Sequence, residues 1–410
     1  MKIDPPQTLT PAAQSAASGT ARTGWQALFD EIAAGSAERE EKRILPFAQI
    51  QALKDRRFGA YRLPVADGGT GASMAGLMEQ VIALGAADSN VAHILRNHFV
   101  FVERFARNPV SAQAHFWRDQ VAQGAIFGLA NTELAQARSG EKTFTRLVPD
   151  GAHFRMTGAK FYSTGSLYAD FVIVRARDAQ ERDVTAIIPT RREGVNLVDD
   201  WDAMGQRMTG SGTTLFDSVR VEPEEIIVDS AGTGYSRPYK STLPQLFLTA
   251  VNTGILRAIV RDASAMLHKR SRKGFFFAAA DTPAEDPLLL KIVGDLSAQL
   301  FAAEAVVAAA SHAQDASLAT AEGDPALKDT AHHAAVLAAK AKLIVDGLVL
   351  QAGTAVFDLG GASSTLRTQN LDRHWRNART VASHNPALYK ALALGKLAVH
   401  GEPLPDKDFF

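Results

Sequence analysis

The chain is 410 residues long, 46% apolar, and carries 44 basic against 44 acidic side chains. That length exceeds what one hydrophobic core serves, so two or three domains are expected, and the balanced charge gives no global field to draw nucleic acid or an anionic membrane. With no cysteine there is no disulfide, thiolate metal site or cysteine nucleophile, as suits a reducing cytoplasm.

Residues 1–20 are rich in Pro, Ser, Thr and Ala, bury little, and read as a flexible tail. They hold no apolar stretch of the kind a signal peptide needs. From 21 to 123 the pattern is helical: MAGLMEQVIALGAADSNVAHILRNHFVFVERFA repeats apolar residues at three-to-four spacing. From 124 to 238 short runs such as FRMTGAKFYSTG, ADFVIVRAR, DVTAIIPT and TTLFDSVRV, broken by Gly, Asp and Asn, predict antiparallel strands. From 239 to 410 helices return, rich in Ala and Leu. Asp286-Pro287, Asp324-Pro325 and Asn385-Pro386 each put a capping side chain before a Pro, which predicts three helix starts. The Ala-rich run LFAAEAVVAAASHAQDASLA predicts close helix packing, a four-helix bundle and self-association. No run reaches about 18 uninterrupted apolar residues, so no membrane span is expected.

Four segments carry a resemblance. AIFGLANTE ends in Ala130-Asn131-Thr132-Glu133; MTGAKFYSTGSLYADFVIV runs from Met156 to Val174; WDAMGQRMTGSGTTLFDSVRVEPEEII begins at Trp201; LDRHWRNARTVASHNP runs from Leu371 to Pro386. In this order and spacing they resemble the acyl-CoA dehydrogenase superfamily. The resemblance implies an α+β fold: an N-terminal helical domain, a central antiparallel β-barrel or sandwich, and a C-terminal four-helix bundle. It also implies roles. Backbone at Asn131 and Thr132 contacts the flavin pyrimidine edge, the Ser163 hydroxyl reaches flavin N5, and Trp201 flanks the ring. Arg270 and Arg272 meet the flavin phosphate across a subunit interface, where a guanidinium fork suits a dianion. Gly360-Gly361 lets backbone approach the cofactor.

The fourth segment bears on the chemistry. Dehydrogenases with the Arg-Asp-Ala-Arg pattern place their catalytic Glu where this chain has Asn385, and an amide is no base. Trp375-Arg376-Asn377-Ala378-Arg379-Thr380 with His384-Asn385-Pro386 is instead similar to the flavin monooxygenase branch, the dibenzothiophene monooxygenases among it. In that branch reduced flavin and O2 form a C4a-hydroperoxide, chemistry that belongs to the cofactor. His384, just before a helix start where a cation is disfavoured, stays neutral and exchanges protons near pH 7. His93 and His98 stand five apart on one helix, on different faces, which excludes a paired metal site. At most one faces the pocket, and His98, beside Phe99 and Phe101, is the preferred second catalytic histidine.

No GxGxxG fingerprint, Walker loop, HExxH or Gly-x-Ser-x-Gly stands where its mechanism needs it. Reduced FMN is therefore expected from a separate NAD(P)H:flavin reductase, with FAD as the alternative cofactor. The substrate is a small organic molecule, an organosulfur compound on the nearest resemblance; N- or aromatic hydroxylation would use the same pocket. The superfamily's shared flavin sites imply a homotetramer. Two rival readings are an acyl-CoA dehydrogenase with its base elsewhere and a non-catalytic helical scaffold.

Overall fold

The computed structural model describes residues 19–107, 111–134, 145–228, 237–269, 276–406 and 410. The expected tail lies outside the described residues except for its last two positions, which open helix α1 (Gly19–Ala33). Short helices α2 (Ser36–Lys42) and α3 (Phe47–Asp55) lead to α4 (Met74–Ala87), α5 (Ser89–Ile94), α6 (Arg96–Phe101) and α7 (Ala112–Ala122). Ser73 caps α4 by accepting from Gly76 N, and Asp88 caps α5 by accepting from Asn90 N and Val91 N. Helix α6 widens into a π-helix over Val102–Ala106.

The middle of the chain forms one eight-stranded sheet. Its strands are β1 (Phe127–Ala130), β2 (Arg146–Asp150), β3 (His153–Lys160), β4 (Phe171–Arg177), β5 (Asp183–Pro189), β6 (Val195–Leu197), β7 (Thr214–Val221) and β8 (Ile226–Val228). The order is β6-β7-β3-β2-β4-β5-β8, with β1 beside β4. Most pairs are antiparallel, as expected, but β1 and β2 each meet β4 in parallel. Alternation along a strand fixes which residues face inward; it says nothing about the direction of the neighbour.

Helices then return: α8 (Thr242–Lys269), α9 (Pro287–Ala319), α10 (Leu327–Ala355), α11 (Arg373–Ala382) and α12 (Ala387–His400). Asp286 caps α9 from the residue before its first Pro, as its sequence predicts. Asn385 does not act this way: Pro386 takes the cap position of α12 and no side chain caps it.

One apolar core joins the N-terminal helices to α8–α11, with Leu77, Met78 and Val81 of α4 in the same cluster as Leu246, Val251 and Leu256 of α8. The two helices cross where glycines meet. A Cβ on Gly254 would lie 2.6 Å from Ile82 O and 2.8 Å from Gly85 Cα, so only hydrogen fits there. The sheet keeps its own core of Val172, Val174, Ile188, Phe216 and Val219. Helices α8 and α9 are each long and apolar enough to cross a bilayer, by length and composition alone. In α8 83% of the most apolar stretch is buried, which marks a core helix; in α9 only 17% is.

Candidate active site

Helices α5 and α6 deliver the polar residues of the site. Asp88, which starts α5, is fixed by a buried ion pair with Arg39 at 2.9 Å. His93 and Arg96 stand three apart, on one helical face. His93 Nδ1 lies 3.0 Å from Gln206 Oε1, while Gln206 Nε2 donates to Ser89. The amide oxygen accepts, so the proton of His93 is on Nδ1. Its Nε2 is buried without a protein partner. Burial, reinforced by Arg96, pushes the His93 pKa down to about 3.

Arg96 Nη1 lies 2.5 Å from His384 Nε2. A guanidinium only donates, so Nε2 accepts and the His384 proton sits on Nδ1. His384 keeps an exposed face although protein surrounds much of the ring. Burial first, then Arg96, His93 and Lys342, holds its pKa well below the usual value. The imidazole is neutral, as expected, but burial and neighbouring cations contribute where the sequence suggests a helix terminus.

Asn385, 2% exposed, points its Nδ2 at Gln245 Oε1 in α8, and its Oδ1 has no protein partner. Two carboxamides therefore face each other at the position where a dehydrogenase needs a carboxylate. Asp346 comes no closer than through Lys342, which it binds at 2.5 Å while Lys342 donates to Ala382 O.

His98 has a different place. It is fully buried, its Nε2 lies 2.9 Å from Gly59 O, and its Nδ1 accepts from Phe127 N at 3.3 Å. Both ring nitrogens are committed to backbone, and burial lowers its pKa to about 4. His98, the preferred second catalytic histidine, is thus held by backbone on both sides, whereas Arg96, three residues after His93, contacts His384.

A second wall comes from the sheet. Ser163 is 2% exposed, its N–H donates to Gly212 O at 3.2 Å, and its buried Oγ has no partner. Phe161 N donates to Thr132 O at 2.8 Å, joining the end of β1 to the segment after β3. Beneath them Lys160 and Glu133 form a buried ion pair at 2.8 Å. Trp201 stands 5.9 Å from the Tyr162 ring and 6.2 Å from Phe161. Asn131, Thr132, Ser163 and Trp201 are thus brought onto one wall: an aromatic face, a backbone edge and an unsatisfied hydroxyl. That donor set fits a flavin ring.

The walls are joined by the loop at Met204–Gln206. Gln206 takes a left-handed conformation (φ 53), its carbonyl accepts from Trp201 Nε1 at 2.9 Å, and its N–H donates to Asn377 Oδ1 of α11. Arg376 donates to Met204 O at 2.9 Å. A Cβ on Gly205 would lie 2.1 Å from Arg376 O, so the contact admits only glycine.

Gly360 and Gly361 are elsewhere in the subunit. Gly360 packs against Met266 of α8, and Gly361 is exposed with φ 55. Met266 and Gln245 lie on the same helix, roughly 30 Å apart at 1.5 Å per residue. Arg270 and Arg272 lie outside the described residues. A cavity of about 770 Å³, lined by Phe105, Trp117, Tyr239, Thr242 and Leu243 among others, begins within a turn of Gln245, but none of the site residues above lines it.

Arg96, Asn97, Gln206 and Gln245 are not singled out by the sequence patterns. The available signal was a cation inside the apolar run HILRNHFVF, three residues after a histidine.

Residues 246–387 match the family model for the acyl-CoA dehydrogenase C-terminal domain. The chain is 29% identical over 384 residues to a probable FMNH2-dependent monooxygenase, SfnC, of Pseudomonas putida, covering 92% of this chain and 94% of that one. It is 27% identical over 390 residues to a dibenzothiophene monooxygenase of Rhodococcus erythropolis, covering 91% and 89%. It superposes on the methanesulfinate monooxygenase MsuC of Pseudomonas fluorescens with a TM-score of 0.84 and 28% identity, over 95% of this chain and 99% of that one. Residues 246–387 thus match the acyl-CoA dehydrogenase C-terminal domain, and these three relatives, each similar along about nine-tenths of the chain, are named as monooxygenases.

Proposed function

We propose that this chain is an FMNH2-dependent monooxygenase that places one oxygen atom of O2 on a small organosulfur compound and releases the other as water. The observation that carries this is the amide pair Asn385–Gln245 where a dehydrogenase needs a base. Beside it stands a neutral imidazole, His384. Reduced FMN comes from a separate NAD(P)H:flavin reductase, and the enzyme works in the cytoplasm.

Ser163, Trp201 and the backbone at Asn131 and Thr132 would hold the flavin ring. Bound and reduced, the flavin supplies the activation of O2. The buried Ser163 hydroxyl, with no protein partner, would hydrogen-bond the flavin ring. Arg96 holds His384 Nε2 and so fixes ring orientation and tautomer, leaving Nδ1–H as the group that would donate a hydrogen bond to oxygen on the bound flavin. His93, anchored through Gln206, presents the lone pair of Nε2 to the same space. The aromatic side chains Phe161, Tyr162 and Trp201 limit water around the ring. Arg270, Arg272 and the Gly360-Gly361 pair serve a second copy's flavin, and the assembly is a homotetramer.

The test is incorporation of labelled oxygen. With FMNH2 delivered by a reductase, the product of an organosulfur substrate gains one atom from labelled O2, and added acyl-CoA leaves oxidised flavin bound to the protein unbleached. Thioester-dependent bleaching without oxygen transfer would return the chain to the dehydrogenases.

A further inference from the structure

Glu40 of α2 is a carboxylate only 2% exposed. Its Oε1 accepts from Arg376 Nη1 at 3.0 Å, and its Oε2 accepts from Asn377 Nδ2 at 3.3 Å and Asn90 Nδ2 at 3.2 Å. An ionised carboxylate only accepts, so it dictates which way round the two amides stand. With Nδ2 turned to Glu40, each asparagine presents its oxygen on the other side. There Asn377 Oδ1 accepts from Gln206 N, and Asn90 Oδ1 accepts from Met208 N at 3.2 Å. Between them Arg207 donates to the Glu40 carbonyl at 3.0 Å. Consecutive residues of one loop, Gln206, Arg207 and Met208, are therefore tied to one buried acid.

That loop reaches the site. Gln206 has a left-handed backbone (φ 53) that a residue with a side chain rarely adopts, and such a conformation persists where its surroundings hold it. Its Oε1 accepts from His93 Nδ1 at 3.0 Å, and its carbonyl accepts from Trp201 Nε1 at 2.9 Å. We propose that Glu40 is a positioning residue for oxygen transfer: through Asn377 and Asn90 it sets the Gln206–Met208 loop, and through Gln206 it fixes the tautomer of His93 and the placement of Trp201. This rests on the monooxygenase reading, which puts His93 and Trp201 at the flavin. An amide at position 40 would put an NH2 group where one oxygen stands, so donor would meet donor at Arg376 or at the asparagines. An asparagine that turned over to recover its bond would then face Gln206 N or Met208 N with a second donor. Arg376 keeps its ion pair with Asp372 at 2.8 Å in such a variant, so no bare charge is left behind.

The experiment compares the wild type with Glu40→Gln, each loaded with FMN, by the visible circular dichroism of bound flavin, the product formed per flavin oxidised, and the melting temperature. Glu40→Gln should change the dichroism and lower product yield by up to about 10²-fold, the cost of a misplacement on the order of 1 Å, with the lost electrons appearing as H2O2. Adding Asn377→Asp should recover most of the yield, because the new carboxylate accepts both from the amide at position 40 and from Gln206 N. A Glu40→Gln protein that melts earlier but keeps wild-type dichroism and yield overturns the proposal, since Glu40 would then serve stability alone. So does a double variant no better coupled than the single one. Should Glu40→Gln not fold, hydrogen exchange of the wild type decides: the Gln206 and Met208 amides should exchange as slowly as those within α5, and exchange at the rate of an open loop overturns the link. A wild type that forms no oxygenated product, while Glu40→Gln still changes the dichroism, keeps the positioning role and removes the monooxygenase reading instead.

Discussion

His384 has Nε2 already engaged by Arg96, so the N–H it can share with a bound ligand is the one on Nδ1. Removing the ring should leave the fold and FMN affinity intact and lower product formed per flavin oxidised by about 10²–10⁴-fold, the electrons escaping as H2O2. Near-wild-type product yield from His384→Ala, measured against peroxide release, would remove His384 from the proton path and leave His93 Nε2 as the remaining group. The buried histidines also set the acid limit of the fold. His93, His98 and His374 have pKa values lowered by burial to about 3, 4 and 4, against about 6.5 in the unfolded chain. The unfolded chain therefore binds protons that the folded one refuses, and stability is complete above about pH 6.5 and falls as pH drops toward 4. The loss is up to about 1.4 kcal/mol per histidine for each pH unit crossed. Urea unfolding at pH 7, 6 and 5 checks this; identical midpoints would mean that these rings protonate freely in the native state.

At the level of elements, the loop at Met204–Gln206 is a joint between the sheet and α11, and its tolerance is small. Gly205→Ala would push a methyl into Arg376 O, 2.1 Å from the ideal Cβ position. Overpacking of this kind costs about 1–3 kcal/mol, and because the loop carries the Trp201 contact, FMN affinity should fall with it. Chemical denaturation and flavin titration measure the two losses; an unchanged alanine variant would show that the joint yields freely. Much of this level was legible beforehand. The helix–sheet–helix order follows from the switch between three-to-four and two-residue periodicity. What was not legible depended on partners distant in sequence. Asn385 followed by Pro reads as a helix cap, and only the fold brings Gln245 against it. His98 looks catalytic beside two phenylalanines, yet Gly59 O and Phe127 N, far away in the chain, take both its nitrogens. Arg96 reads as a solvated cation until its burial is known.

Across the whole molecule, the surface left open on the helical side is strongly apolar. Phe301 and Leu288 of α9 are 75% and 69% exposed, and Leu388 and Val399 of α12 are 85% and 74%. Faces of this kind are contact surfaces, and a second copy of the chain is the partner that the Ala-rich packing suggests. Light scattering at micromolar concentration should give a homotetramer; a monomer that binds FMN with full affinity would refute the assembly. The length of α8 makes this more than a matter of quaternary structure. Gln245, near the reacting centre, and Met266, beneath Gly360, are held roughly 30 Å apart by one rigid helix. On the proposed reading no single subunit brings both ends to one flavin, so each cofactor would be shared between two copies. Binding of FMN and association of subunits are then linked by mass action. Dilution alone should release flavin, added FMN should hold a diluted sample together, and the enzyme's apparent cofactor affinity should depend on its own concentration.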